Sequence, residues 1–425
     1  MRRVILGCEP NGFGPVSKLT AAARLLEGVE RIFVGDNGAY DFAQCNASCF
    51  ERFLTIDEFR QESGLIESCD FGVVVMEPDL TFELLRSGMP VYYFDSLIEF
   101  WVLPNGLAPL AKAATEILSR PLPEGRRIFD SFSIHERKVL AHMLATRSFA
   151  QNFPGVPQRL AELRACGFGN VILLGSIIDA PPRAQPIPAR SERDSSWSML
   201  INLGGVQNFA IRFNKNDYAI DLIELWAEKF LAEESNCEAI VICCGRYSAP
   251  DTRLVGDRRL TRQFLPHDEF MVLLESADIV VSAAGRTTLA EAVHLGRLPI
   301  LLPEQHHNQY CNIRSLAHTE VGRLAVRLGD VMDMGDLPDD DFEGTRLIID
   351  CTRRVLQCEK LFTRFDLLLR NRIERIRAFP PAEHQRMIDE VAQYMSGQDF
   401  ASAVRALVRP SVSHAQPPGQ MTSDV

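Results

Sequence analysis

Two series of alternating strands and helices, separated by a proline-rich stretch, constrain the fold of this 425-residue chain. In the first half, apolar runs predict strands at residues 4–6, 31–34, 53–56, 71–76, 91–94 and 171–175. Apolar spacing of three and four predicts helices at residues 19–26, 58–66, 81–86 and 135–149. Strands that alternate with helices form parallel sheets covered on both faces. The first half is therefore predicted to be a parallel α/β domain.

The alternation restarts after residues 179–196, which contain four prolines and no periodicity and are typical of a linker. Here strands are predicted at residues 199–203, 239–244, 278–281 and 299–302, and helices at 217–232, 288–294, 355–379, 382–394 and 400–408. The predicted units are a first domain (1–178), a second domain (197–354), C-terminal helices (355–409) and a disordered tail (410–425). A ligand is expected between the two domains, at the carboxyl ends of the strands.

The composition excludes several classes of protein. With 46% hydrophobic and 24% charged residues, the chain can bury a core and is not wholly disordered. A net charge of -11 argues against a general nucleic-acid binder. No apolar run reaches the roughly 18–20 residues that a membrane span needs, and the start turns acidic too soon for a signal peptide. The eleven scattered cysteines predict reduced thiols, so we expect a cytoplasmic protein.

The most informative segment is ADIVVSAAGRTTLAE, in the second half. A strand is predicted to end at Ser282, and a turn of small residues leads into a helix that begins near Arg286. Small residues let the backbone approach a ligand closely, and free N–H groups at a helix start suit a phosphate. Thr287 or Thr288 could cap the helix or donate to a phosphate oxygen, and Glu291 could reach a ribose diol. An ordinary strand–helix turn with a threonine cap would look the same.

Other loops that follow predicted strands are also small or polar. The cluster EQHHNQYCN, at residues 304–312, carries amides and a carboxylate that suit sugar hydroxyls. A metal site at His306 and His307 is a weaker interpretation than sugar binding, because the side chains of adjacent residues seldom point the same way. The loop LGGVQN brings Gly204 and Gly205 to a strand end, which is typical of a tight turn or of close approach to a phosphate. The glycine-rich opening loop has neither the dinucleotide nor the P-loop pattern, but could form a wall of the cleft.

Three of these motifs, taken in order, resemble the GT-B glycosyltransferase superfamily. They are GGVQ at residues 204–207, SAAGRTTLAE at 282–291 and PEQHHNQYCN at 303–312. The likeness is greatest to the lipid-intermediate N-acetylglucosaminyltransferases of peptidoglycan synthesis and to the antibiotic glycosyltransferases. In the first half only the opening strand and its glycine-rich loop match. The resemblance implies an α/β protein of two Rossmann-like domains facing across a cleft, with C-terminal helices that pack across it.

The resemblance also implies an acceptor site in the first domain and a site for a nucleotide sugar, usually a UDP-sugar, in the second. Leu265 matches the backbone that meets the base, Glu291 matches the ribose ligand, and Asn308 and Gln309 match the pair that contacts sugar hydroxyls. The residues that match the two loops facing the diphosphate are Gly204, Gly205, Gln207, Asn208, Ser282, Ala284, Gly285, Arg286, Thr287 and Thr288. Transferases of this fold usually use helix-terminus N–H groups instead of a metal to stabilise the departing diphosphate. No metal and no cofactor beyond the UDP-sugar co-substrate is therefore expected.

The opening loop departs from the resemblance at one position. Relatives commonly place a histidine there, as the base that activates the acceptor. This chain has Phe13 at that position, between Gly12 and Gly14, and its first histidine comes at residue 135. The base is therefore expected elsewhere, and the candidates in order are Glu9, Asp36 and His135.

The segment GFGPVSKL of the same loop resembles the cytosylglucuronate synthases of nucleoside-antibiotic pathways, which join UDP-glucuronate to cytosine. An acidic base suits a ring nitrogen that loses its proton readily. Arg286 is a candidate to pair with a uronate carboxylate or with the diphosphate, because its planar fork suits either. The predicted function is a metal-independent, inverting transfer of a sugar from a UDP-sugar, UDP-glucuronate among them, to a small acceptor such as cytosine in natural-product biosynthesis.

Two alternatives stay open. UDP-sugar hydrolases of the same fold also carry an Ala-Gly-x-Thr-Thr turn, although they too usually have the opening-loop histidine. A non-catalytic partner that activates a transferase would account for the missing histidine but not for the intact donor motif. The expected partners are a UDP-sugar and a small acceptor, with no nucleic acid and no stable membrane insertion, and a homodimer is left open.

Overall fold

The computed structural model describes residues 1–10, 12–179, 196–205, 218–245 and 249–408. Within these ranges, the first sheet consists of seven strands, β1 (Arg2–Cys8), β2 (Val29–Val34), β3 (Arg52–Leu54), β4 (Phe71–Val75), β5 (Val91–Asp95), β6 (Arg147–Gln151) and β7 (Val171–Leu174). They are all parallel and lie in the order β3-β2-β1-β4-β5-β6-β7. The strand order reverses between β1 and β4, and ligands of such sheets bind at this switch point.

Helices cover both faces of this sheet. They are α1 (Phe13–Leu25), α2 (Asn37–Cys45), α3 (Ile56–Gln61), α4 (Pro78–Arg86), α5 (Leu107–Ile117), α6 (Leu122–Asp130), α7 (Ile134–Leu144) and α8 (Val156–Ala165). The central strands β1 and β4 are buried along nearly their whole length, which explains why they are continuous apolar runs in the sequence.

The second sheet, in the described part of the chain, consists of β8 (Trp197–Asn202), β9 (Cys237–Cys243), β10 (Asp251–Val255), β11 (Arg258–Gln263), β12 (Ile279–Ser282) and β13 (Pro299–Leu301). Its order is β10-β11-β9-β8-β12-β13, and the β10–β11 hairpin is antiparallel while the other pairs are parallel. The switch point lies between β8 and β12. The helices are a π-helical turn (Tyr218–Ile223), α9 (Glu224–Glu233), α10 (His267–Ser276), α11 (Arg286–His294), α12 (His307–Ser315), α13 (Glu320–Leu324) and α14 (Leu328–Val331).

Four C-terminal helices complete the described chain: α15 (Asp341–Gln357), α16 (Glu359–Ala378), α17 (Pro381–Tyr394) and α18 (Phe400–Val408). Helix α17 packs on α11 and α13 of the second domain, whereas α18 packs on α1 of the first. Between them, the Gly175 N–H donates a hydrogen bond to the carbonyl of Gln398, with N and O 2.9 Å apart. The chain therefore returns to the domain in which it began.

The predicted fold class is confirmed: two Rossmann-like α/β domains face each other across a cleft, with a helical C-terminal part. None of the described helices is both long and apolar enough to cross a membrane. The predicted linker and tail fall largely or wholly on residues 180–195 and 409–425, outside the described residues. The predicted donor residues Gln207 and Asn208 also lie outside them.

Several local predictions differ from the structure. The single helix predicted at residues 355–379 is wrong, because α15 ends at Gln357 and α16 begins at Glu359. The helix predicted through residue 149 is wrong at its end, because α7 stops at Leu144 and the chain continues as β6. Strand β6 is buried on both faces, so its apolar residues extend the helical pattern without a visible break. The hairpin of β10 and β11 was not predicted, because β10 is mostly exposed and lacks an apolar run.

Asp366 anchors α16 to the second domain. Its carboxylate accepts hydrogen bonds from Trp226 Nε1 at 3.0 Å, from Lys229 Nζ at 2.7 Å and from Arg370 Nε at 2.6 Å. The residue is 4% exposed. A buried carboxylate with three donors and two cations holds the helices in one register.

We expect Asp366→Ala to lower the free energy of unfolding by roughly 1–3 kcal/mol, because it leaves the buried Trp226 N–H without its acceptor and removes the ion pairs with Lys229 and Arg370. Urea unfolding followed by circular dichroism measures the change. Asp350→Ala on α15 is the matched control, since its ion pair with Arg353 is exposed and should contribute less than about 1 kcal/mol. An equal effect of the two substitutions would contradict the anchoring role.

Candidate active site

A cavity of about 290 Å³ lies between the two domains, at the carboxyl ends of both sheets. The loops that follow β1, β4 and β5 line it on one side, and those that follow β8, β11, β12 and β13 on the other. Both switch points therefore open on the same space. Of the predicted site residues, those that line it are Glu9, Gly12, Phe13, Gly14, Gly204, Gly205, Leu265, Gly285, Arg286, Thr287, Thr288, Glu291, Asn308 and Gln309.

The start of α11 forms one wall of this cavity. No side chain in the described part of the chain caps its first turn, so the N–H groups there are available to an anion. Thr287 and Thr288 face the cavity, and Thr288 Oγ1 accepts a hydrogen bond from Asn202 Nδ2 at 2.8 Å. Ser282 and Ala284 are buried beneath the turn, where they shape it and do not line the cavity.

Glu291, one turn into α11, is buried and held by a histidine. Its Oε1 lies 2.8 Å from Nε2 of His267, which is also buried. Burial lowers the pKa of His267, but the hydrogen bond and the charge of Glu291 outweigh it, so that the pKa is raised overall. The imidazole and the carboxylate thus form a polar pair at the cavity wall.

A cluster of Asp179, His267 and Asp268 has the composition of a metal site. Arg24 from α1 already brings a positive charge to it, with Nη1 2.8 Å from both Asp179 and Asp268. The cluster therefore forms an ion-pair network between the first domain and α10.

The two glycines after β8 allow a close approach between domains. Gly204 has φ 67°, a left-handed conformation that favours glycine. A Cβ on Gly205 would lie 2.2 Å from the ring of Phe13, so a side chain there would displace the ring. The ring centroid of Phe13 also lies 5.2 Å from that of Phe42 and 5.4 Å from that of Phe264. Phe13 therefore packs between the domains, at the position where relatives commonly have a histidine.

Arg286 is 4% exposed and spans the two domains. Its Nε donates to Asn312 Oδ1 at 2.8 Å within the second domain. Its Nη atoms donate to the carbonyl of Ser96 and to a carboxylate oxygen of Glu99, both after β5 in the first domain. The guanidinium carbon also lies 3.9 Å from the ring centroid of Phe153. Arg286 thus forms a contact between the domains, and its pairing with a uronate or a diphosphate stays a prediction.

The residues of the polar cluster after β13 differ in position and in hydrogen-bond partner. Asn308 lines the cavity, while the buried Gln309 also accepts a hydrogen bond from the N–H of Gln305 at 2.9 Å. His306 lines the cavity, and burial lowers its pKa to about 4, so its imidazole is neutral at pH 7. His307 Nδ1 lies 3.0 Å from Asp341 Oδ1, and the carboxylate raises the pKa of His307 to about 10 despite its partial burial. The two adjacent imidazoles therefore have different surroundings, and no group of three metal-ligating side chains includes them among the described residues.

Glu9 forms the first-domain wall together with Lys138. Lys138 Nζ lies 2.8 Å from Glu9 Oε1 and 4.0 Å from the ring centroid of Trp101. Burial and the charge of Glu9 raise the pKa of the nearby Glu77 to about 7. Met76, which precedes Glu77 and lines the cavity, has φ 59°, a strained conformation for a residue with a side chain. The carboxyl ends of β1 and β4 thus carry a charged and strained cluster.

The other two candidate bases do not line the cavity. Asp36 precedes α2, and its Oδ1 accepts a hydrogen bond from the Ile56 N–H at 3.3 Å. His135 lies behind the wall, with Nε2 3.6 Å from Asp341, which does line the cavity. Among the three candidates, Glu9 is in contact with the cavity.

Sequence reasoning did not identify three residues that line the cavity: Lys18, Lys138 and Asp341. Lys18 Nζ donates to Thr287 Oγ1 at 2.5 Å across the cleft. Lys18 belongs to the helical segment after the glycine-rich loop, and that position is the one signal that could have pointed to it. Lys138 and Asp341 lie at helix positions whose sequence carries no motif.

Comparison with known families gives one match in the second domain. Residues 219–327 match the glycosyltransferase family 28 C-terminal domain. A search of curated proteins finds no match. Three solved structures that resemble the chain are LpCGTa in complex with UDP (14% identity, TM-score 0.46, covering 93% of this chain and 100% of that one), SnogD from Streptomyces nogalater (13%, 0.44, 96% and 98%) and the glycotransferase of kitacinnamycin (13%, 0.44, 92% and 98%).

The family match spans the π-helical turn, α9 to α13 and the strands between them, and so includes the start of α11, Glu291 and the polar cluster after β13. The predicted enzyme class, a glycosyltransferase, is confirmed by this match.

The pair of His267 and Glu291 predicts a pH dependence of stability. Because the folded-state pKa of His267 is raised, its stabilising effect is complete below the unfolded pKa of about 6.5 and is lost as the pH rises through the folded-state pKa. The Tm difference between the wild type and His267→Gln should therefore be largest near pH 6 and shrink at alkaline pH. His384→Gln, on α17 and away from the cavity, is the control. A difference that grows with pH would refute this assignment.

Proposed function

We propose that this protein transfers a sugar from a UDP-sugar to a small acceptor, with inversion at the anomeric carbon and without a metal. The observation that carries this proposal is the cavity at both switch points, with the uncapped start of α11 on one wall and Glu9 on the other. The first wall suits a phosphate and the second suits an acceptor that loses a proton. The family match to the second domain supports the donor side.

The proposed donor site lies on the second domain. The departing diphosphate would lie at the N–H groups of α11, with the hydroxyls of Thr287 and Thr288 beside it. Glu291, oriented by His267, would accept from the ribose hydroxyls. The uracil would lie against Leu265, and Asn308 would meet the sugar hydroxyls.

In the proposed reaction, the acceptor attacks the anomeric carbon from the face opposite to the diphosphate. The bond from that carbon to the diphosphate oxygen breaks, and its electron pair leaves with UDP. The acceptor proton passes to Glu9, which Lys138 orients through their contact at 2.8 Å. Positioning and electrostatic stabilisation thus replace a metal.

UDP-glucuronate and cytosine are the donor and acceptor that we propose to test first. Their support is the likeness of the opening loop to the cytosylglucuronate synthases. Arg286 no longer supports the uronate, because Glu99 already occupies its guanidinium. A natural-product pathway is proposed on the same resemblance.

The proposal predicts that UDP raises the Tm of the protein, because a ligand that binds the native state stabilises it by mass action. A panel of UDP- and dTDP-sugars, followed by UDP release with and without cytosine, identifies the donor. Release that requires an acceptor and persists in EDTA supports a metal-independent transferase. Release without acceptor would indicate a hydrolase, binding without release a non-catalytic partner, and no stabilisation by any sugar nucleotide would exclude the donor site.

Glu9→Gln tests the proposed base. We expect it to lower transfer by about 10²–10⁴-fold, because the amide cannot take the acceptor proton, while the Kd for UDP changes less than about twofold. Steady-state rates and calorimetry measure the two effects, and the Tm shows that the variant is folded at the assay temperature. Glu67→Gln, an exposed carboxylate of the first domain, is the control. Full activity of Glu9→Gln would exclude Glu9 as the base.

A further inference from the structure

One cation at the cavity lacks a carboxylate partner. Of Lys18, Lys138 and Arg286, all of which line it, Lys138 pairs with Glu9 and Arg286 pairs with Glu99. Lys18 Nζ instead contacts the neutral Thr287 Oγ1 at 2.5 Å and the carbonyl of Gly14 at 3.4 Å. In the part of the chain that the structure describes, no carboxylate forms an ion pair with it.

This arrangement is unfavourable for the protein alone. Lys18 is 2% exposed, and an ammonium that has left water without a counter-ion raises the free energy of the folded state. The pKa of Lys18 accordingly falls to about 8, chiefly through burial. Glu291 and Asp95 raise that pKa from a distance, and the positive charge of Arg286 lowers it further. An anion at this position would remove the cost.

The position of the Lys18 ammonium indicates which anion would bind there. Thr287, its contact, is the second residue of α11, whose first-turn N–H groups have no side-chain cap among the described residues. The helix end and the buried cation thus favour negative charge at the same point. The helix end belongs to the second domain, whereas the cation belongs to the first, since Lys18 is on α1.

We propose that Lys18 is a catalytic residue of the first domain that binds the diphosphate of the donor and stabilises it as it leaves. This inference rests on the proposed function and adds to it a cation opposite the start of α11. As the bond between the anomeric carbon and the diphosphate oxygen breaks, its electron pair moves onto the diphosphate, and Lys18 stays protonated and neutralises part of that charge. Lys18 would thus pair with the diphosphate, a role that the sequence suggested for Arg286.

Lys18→Met is the decisive variant, with Lys18→Arg to restore the charge and Lys112→Met, an exposed lysine on α5, as the matched control. Calorimetry with UDP and with uridine separates diphosphate binding from base binding. We expect Lys18→Met to weaken UDP binding by at least about tenfold, to leave uridine binding unchanged and to lower kcat by about a hundredfold, with partial recovery in Lys18→Arg. The control should match the wild type.

Two further readouts distinguish this role from a structural one. Without ligand, Lys18→Met should have a Tm no lower than that of the wild type, because it removes a buried unpaired charge. Near pH 8, UDP should bind with proton uptake in the wild type, detected by calorimetry in buffers of different ionisation enthalpy, and without it in Lys18→Met. Equal UDP affinity of Lys18→Met and the wild type would overturn this inference alone, whereas a wild type that does not bind UDP would overturn the donor site as well.

Discussion

The geometry of the cleft depends on one buried guanidinium that belongs to both domains. Arg286 begins α11 in the second domain, yet it donates to Glu99 and to the Ser96 carbonyl in the first. Separating the domains would break these two hydrogen bonds, one of which joins two opposite charges. The start of α11 is therefore held against the loop after β5, and this contact sets the width of the cavity.

The pairing of charges around the cavity follows from the cost of burying a charge without a partner. Each buried charge there needs a partner, and each domain contributes one such pair to the cavity wall. Lys138 orients Glu9 on the first domain, and His267 orients Glu291 on the second. The ammonium of Lys18 is the exception: its contact is the neutral Thr287 hydroxyl. In the proposed reaction, the diphosphate of the donor would bring the negative charge that this ammonium lacks.

The features that could be predicted from the sequence are those that local pattern determines. Strand–helix alternation indicated two parallel sheets, and the loop SAAGRTTLAE indicated that a helix starts at the carboxyl end of β12. The strand β6 could not be separated from α7, because a buried strand and a buried helix are both apolar. The contacts of Arg286 with Glu99 and of Lys18 with Thr287 join residues 187 and 269 positions apart, so no local pattern reveals them.

The return of α18 to the first domain has a consequence for how that domain is assembled. Helix α17 packs on α11, whereas α18 packs on α1, near the other end of the sequence. The first domain is thus built from both ends of the described chain. A cut between α17 and α18 would therefore leave α1 without the α18 helix that packs on it, although every strand of the first sheet would still be present.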